Sequence, residues 1–106
     1  MKSVFVSMIA AASLMVASSA MADDVAALLK KSNCMTCHKM EGKLLGPGFK
    51  EVANKYKGDS KAAATLEAKV ANGGKGVWGT IEMPKLPNLK AEDIKTMVAY
   101  ILAQAK

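Results

Sequence analysis

Arginine is missing from this 106-residue chain; all 15 basic residues are lysine. Arginine is the usual bidentate reader of bases and phosphates. Its absence argues against nucleic acid as a partner, even with a formal net charge of +6. Histidine occurs once and cysteine twice. A structural zinc site needs four nitrogen or sulfur ligands, which three such residues cannot supply. Two cysteines cannot build a disulfide framework either, and a bridge between them would close a loop too short to restrict the unfolded chain much. Also lacking is an apolar run suited to crossing a bilayer. The most apolar stretch, Val4 to Val16, is interrupted by Ser7 and Ser13 and followed by Ser18 and Ser19. A spanning helix wants about 20 predominantly apolar residues.

That stretch matches an export signal instead. Lys2 precedes it, Ala20-Met21-Ala22 gives the small-x-small pattern for cleavage, and Asp23-Asp24 follows. The sequence therefore predicts a secretory leader over residues 1–22, removed after Ala22, and one domain over 23–106. Cleavage takes 22 of the 106 residues, leaves 84, and with Lys2 gone lowers the formal charge to +5. A domain this small has a marginal core, and small chains often rely on a metal, a staple or a cofactor.

Both cysteines and the histidine fall within five residues, CMTCH, Cys34 to His38. A Cys-x-x-Cys pair serves redox disulfides, zinc sites and haem attachment. Thiol-redox pairs sit after a strand at a helix N-terminus, and no strand precedes this one. Zinc fails on ligand count. A structural disulfide three residues long is strained. Cys-x-x-Cys-His is the haem c signature: two thiols add across the porphyrin vinyl groups, and the next histidine lies under the iron. One haem c per chain, attached through Cys34 and Cys37 with His38 as axial ligand, is the reading. The leader agrees, because haem c is attached outside the cytoplasm.

A second axial ligand must come from a methionine, since no other histidine exists. Met35 lies between the two cysteines and Met40 two residues past His38, so both are tethered to the His38 side. Met97 falls on an apolar helical stripe, where packing explains it. Met83 lies 45 residues beyond His38, in a loop, and is followed by Pro84. It is the expected sixth ligand. A thioether favours ferrous iron and raises the reduction potential. With both axial positions filled, the site exchanges electrons and makes no bonds.

No segment alternates like a strand, so the fold class is all-α, with three or four short helices. The first is expected over about 24–32, with acids at its start. EVANKY gives a short helix ended by Gly58. KAAATLEAKVAN gives another, capped by Asp59 or Ser60 and stopped at Gly73. Ile94, Met97, Val98, Ile101, Leu102 and Ala105 recur at helical spacing in the last, with Asn88 the best nearby cap. The two Gly/Pro-rich connections, around Gly42–Gly48 and Gly73–Pro87, are long for a compact chain. They make sense if they wrap a bulky apolar group.

CMTCH, then LLGPGFKEVANKY, then NGGKGVWGTIEMP, then a last helix bearing Tyr100, resemble the small class I bacterial c-type cytochromes of the c-551/c-552 group. The resemblance spans residues 23–106. It implies a compact helical wrap around one haem, first and last helices crossing, in the periplasm. It implies that the Pro47 carbonyl accepts a hydrogen bond from His38 Nδ1 and that Trp78 donates its indole N–H to a haem propionate. One departure stands out. The family continues its methionine as Met-Pro-Pro-Asn, but this chain reads Met83-Pro84-Lys85-Leu86-Pro87-Asn88, a local insertion that leaves Asn88 as candidate for the asparagine.

The resulting expectation is a monomeric electron carrier, not an enzyme, that shuttles single electrons between larger redox proteins. A nitrite reductase, a cytochrome c peroxidase and a terminal oxidase all fit as partners. Lys39, Lys43, Lys75 and Lys85 should surround the haem edge and favour an acidic docking surface. The competing readings are a small peroxidase or gas sensor, which needs an open sixth site, and an exported thiol-disulfide module, which needs free thiols.

Overall fold

The structure, a computed structural model, describes residues 22–86 and 88–106. The leader assigned to 1–22 therefore lies, Ala22 apart, outside the described residues, as does Pro87, which follows the inserted Lys85-Leu86. Four α-helices follow in order: α1 over 22–31, α2 Phe49–Lys55, α3 Ala62–Asn72 and α4 Ala91–Leu102. A single 3-10 turn, Cys34–Thr36, sits between α1 and α2. Among the described residues there is no strand, only two isolated bridges, Lys43 with Pro47 and Gly74 with Met83. No described helix is long and apolar enough to cross a membrane.

The helix boundaries have local causes. α1 stops where Asn33 takes a left-handed conformation, φ 65°, which asparagine tolerates better than most residues. α2 begins two residues before EVANKY because extended Gly48 offers its carbonyl to Val52 N–H at 3.0 Å. α3 is led in by Asp59, whose Oδ1 accepts from Lys61 N–H at 2.8 Å. It ends at Gly73, φ 72°, as its sequence predicts. α4 differs from expectation. Its cap is extended Lys90, with no side-chain cap hydrogen bond, and Asn88 lies exposed in the preceding turn. Glu92 and Asp93 in the first turn supply the favourable charge that a capping side chain would have shared.

α4 packs against both α2 and α3. Val25 and Leu29 of α1, Phe49 and Val52 of α2, and Met97 and Ile101 of α4 form one buried cluster, with Tyr56 and Tyr100 packed on it. The first and last helices thus share a core. Leu66 and Val70, the i, i+4 pair of α3, line a cavity that opens beside this core, and Leu66 also packs against the cluster.

Candidate functional site

CMTCH folds as one tight turn. The Cys34 carbonyl accepts from both Cys37 N–H (3.3 Å) and His38 N–H (3.0 Å). Residues three and four apart in such a turn are side-chain neighbours, so the two thiols and the imidazole open on the same space. All three line a cavity of about 230 Å³. They do not converge on a point: among the described residues, no three His, Cys, Asp or Glu side chains are placed to hold a metal ion. Burial pushes the Cys34 thiol up. Reactive redox thiols need the opposite shift, so this arrangement disfavours a thiol-exchange pair.

The loop after the motif is built around His38. Gly46 N–H donates to the Cys37 carbonyl at 2.7 Å, and Phe49 N–H to the Lys39 carbonyl at 2.8 Å. The chain is thereby folded back under the imidazole. His38 Nδ1 lies 2.7 Å from the Pro47 carbonyl oxygen. A carbonyl only accepts, so Nδ1 carries the proton, and in the neutral ring Nε2 keeps its lone pair. Phe49 stacks on the ring, centroids 5.2 Å apart and planes inclined by 26°. Gly46 presses on it so closely that a Cβ there would come within 2.7 Å of His38 Cε1. Three neighbours therefore hold the imidazole in one orientation.

The other side is supplied by the loop after α3. Gly74 and Met83 pair as a two-residue bridge: Gly74 N–H donates to Met83 O at 3.0 Å, and Met83 N–H to Gly74 O at 2.8 Å. Gly73 tolerates no side chain, because its Cβ would run into the backbone of Met83, Pro84 and Lys85. The base of the loop is thus locked to the end of α3, and half-buried Met83 lines the cavity. Met35 and Met97 instead join the hydrophobic cluster, and Met40 is exposed; none of the three lines the cavity. The structure thus brings Cys34, Cys37, His38, Pro47, Trp78 and Met83 to one cavity, and Asn88 is not among its lining residues.

The remaining walls are mainly apolar: Phe49 and Val52 from α2, Leu66 and Val70 from α3, Val98 and Ile101 from α4. Trp78 is 40% exposed, at the mouth, with the Lys55 ammonium 5.6 Å from its ring centroid. Lys39, Lys43, Lys75 and Lys85 are all exposed, and Lys75 stands in the cavity wall. An apolar cleft that offers two thiols and an imidazole, with a thioether in the same wall, fits a flat apolar macrocycle with a metal at its centre. Gly46, Phe49 and Lys55, and the contact of Gly73 with the Met83 backbone, are parts of this arrangement that the sequence alone does not single out.

The sequence profile of the family described as Cytochrome c matches residues 22–105. The chain is 48% identical over 87 residues to cytochrome c-551 of Allochromatium vinosum, covering 82% of this chain and 90% of that one. It is 42% identical over 102 residues to cytochrome c-552 of Nitrosomonas europaea, covering 96% and 97%. The crystal structure of wild-type Nitrosomonas europaea cytochrome c552 superposes with a TM-score of 0.72 at 42% identity, covering 74% of this chain and 98% of that one.

Proposed function

The chain belongs to the cytochrome c family, and on that premise we propose a His38/Met83-ligated haem c carrier that moves single electrons between respiratory redox proteins in the periplasm. Membership brings with it covalently bound haem c and a role in electron transfer, not in enzymatic turnover. The residue roles are the proposal. Cys34 and Cys37 carry the thioether links. His38, its Nδ1 proton held by Pro47, would offer Nε2 to the iron. Met83 would offer its thioether sulfur as the second protein ligand, and Trp78 would donate its indole N–H to a propionate at the cavity mouth. Bound haem supplies the one-electron couple. The protein's share is to fix both ligands on braced loops, which keeps the site nearly unchanged between oxidation states, and to keep water from the ring with apolar walls.

One observation carries this reading: of the four methionines in the described residues, Met83 alone shares a cavity with His38 and both cysteines. The test uses holoprotein made with a haem c maturation system. Haem should stay with the polypeptide on a denaturing gel. The ferric protein should show the weak red band of a thioether–iron bond, and Met83→Ala should abolish that band and lower the reduction potential. The same change at Met35, Met40 or Met97 should leave the band in place. A band that survives Met83→Ala refutes the ligand assignment.

The export reading places a leader over residues 1–22 and cleavage after Ala22, ahead of most of α1. For partners, the exposed lysines, of which Lys75 borders the cavity, support acidic docking surfaces on larger redox proteins, with a nitrite reductase, a peroxidase or a terminal oxidase as candidates. The chain acts as a monomer.

A further inference from the structure

Residues 73–83 form a loop that is anchored at its base and bare at its tip. Its base is the Gly74–Met83 bridge. Its tip is closed by Gly76 N–H donating to Gly79 O at 2.9 Å. Gly76 and Gly79 both have positive φ, 101° and 119°, and a Cβ on either would meet nothing within 4 Å. Glycines of this kind loosen a segment, because the unfolded and displaced conformations available to them are many. Val77 is 44% exposed. The tip has one large side chain that reaches back to a helix. Trp78 lies under the ammonium of Lys55, which sits in the last turn of α2. A distance of 5.6 Å to the ring centroid is within the range of a cation–π contact. Trp78 and Pro47 also form the partition between the main cavity and a smaller one of about 120 Å³ lined by Gly42, Lys43 and Glu51. The indole is thus the place where the Met83 loop closes against the His38 loop.

We propose that Lys55 is a positioning residue: its ammonium, seated on Trp78, latches the tip of the 73–83 loop to α2 and so holds Met83 over the cavity. The proposal rests on Met83 being an axial ligand. Met83 leaves the cavity only when the Gly74–Met83 bridge opens and the tip lifts with it, and the Lys55–Trp78 contact is broken as the tip lifts. Lys55 touches neither haem nor ligand in this scheme; it acts through Trp78.

The measurement is the rate at which added imidazole enters the ferric holoprotein at saturating concentration, where release of the methionine limits the reaction. Lys55→Gln should raise that rate about two- to fivefold, the effect expected for loss of one exposed cation–π contact. Lys55→Arg should restore the wild-type rate, since a guanidinium also stacks on indole. Lys95→Gln, an equal charge change on the exposed side of α4, should leave it unaltered. Trp78→Leu, which also removes the proposed propionate hydrogen bond, should raise the rate at least as much, and adding Lys55→Gln to it should do nothing more. If Trp78→Leu yields no holoprotein, the three lysine variants decide alone. The latch is overturned if Lys55→Gln matches the wild type or Lys95→Gln, if Lys55→Arg is as fast as Lys55→Gln, or if the Lys55→Gln effect persists in the Trp78→Leu background. Met83→Ala separates the two levels of inference. It should bind imidazole without the slow step. A wild type as fast as Met83→Ala removes the ligand assignment itself, whereas a slow wild type indifferent to Lys55 removes only the latch.

Discussion

The least conspicuous residue of the site, Gly46, is among the most constrained. It has no side chain, and its neighbour Pro47 provides the hydrogen bond that orients His38. Yet a Cβ at 46 would stand 2.7 Å from His38 Cε1 and 3.0 Å from Nδ1, closer than side-chain carbons pack. Gly46→Ala must therefore push the imidazole off its hydrogen bond or move the loop. Overpacking of this kind costs about 1–3 kcal/mol. The expected result is a lower denaturation midpoint in the holoprotein together with an altered histidine ring environment by NMR. An alanine variant with native midpoint and native ring shifts would show that the loop yields freely. Phe49 braces the same ring from α2, so the imidazole is held by a face, an edge and a hydrogen bond from the protein itself.

Among the elements, α4 has two duties, and its apolar stripe divides between them. Met97 is 2% exposed and packs into the cluster with Val25, Leu29, Phe49 and Val52. Val98 and Ile101 border the cavity, Ile101 while also belonging to the cluster. Truncating Met97 removes buried atoms and leaves a hole, a change that costs about 2–5 kcal/mol in a core. In a domain under 100 residues that should lower the melting temperature by roughly 4–8 °C per kcal/mol. Met97→Ala should thus melt far below wild type while keeping its thioether band, which separates a packing methionine from a ligating one in a single spectrum. Met40→Ala, on an exposed side chain, should change the melting temperature little. α2, only seven residues long, cannot stand on propensity and is stable because Phe49, Val52 and Ala53 are buried.

At the scale of the whole molecule, the cavity sets the balance. Without a group to fill it, the cleft leaves Phe49, Val52, Leu66, Val70 and Ile101 lining an open space instead of packing against a partner, so apolar burial worth about 25 cal/mol per Å² is forfeited. A small domain has a total stability of only about 5–15 kcal/mol. Removing the haem should therefore leave the chain largely unfolded. Circular dichroism of the haem-free protein should show low helicity, and a cooperative melt near that of the holoprotein would contradict this. Charge acts at the same scale. The described surface carries one ion pair, Lys50 with Glu41 at 3.0 Å, and most lysines face solvent. Exposed charges are screened beyond about 8 Å at physiological ionic strength. Association with an acidic redox partner should slow as salt rises, mainly through the on-rate. A rate flat from low to high salt would mean that the contact is apolar.

The sequence by itself determined what depends on close spacing. CMTCH places two thiols and an imidazole within one turn of backbone, so its chemistry is fixed before any long-range contact forms. The stripe of α4 and the stop at Gly73 were legible for the same reason: helical periodicity and a glycine's positive φ are local properties. Met83 could be reached by elimination, because the other methionines were tethered near the motif or spent on a stripe. Tertiary structure decided the rest. No local signal says that Gly46 lies against His38, that Gly73 lies against the Met83 backbone, or that Lys55 covers Trp78. Each pairs residues whose separation is bridged by a loop, and loop paths follow from where their ends are packed. The start of α4 was missed on similar grounds: Asn88 has the right chemistry for a cap, but the extended backbone at Lys90 sets where the helix begins. The direction of Leu66 and Val70 is the clearest case. Their spacing marks an apolar face of α3, while only the positions of α2 and α4 decide that this face borders a cofactor cavity as well as the core.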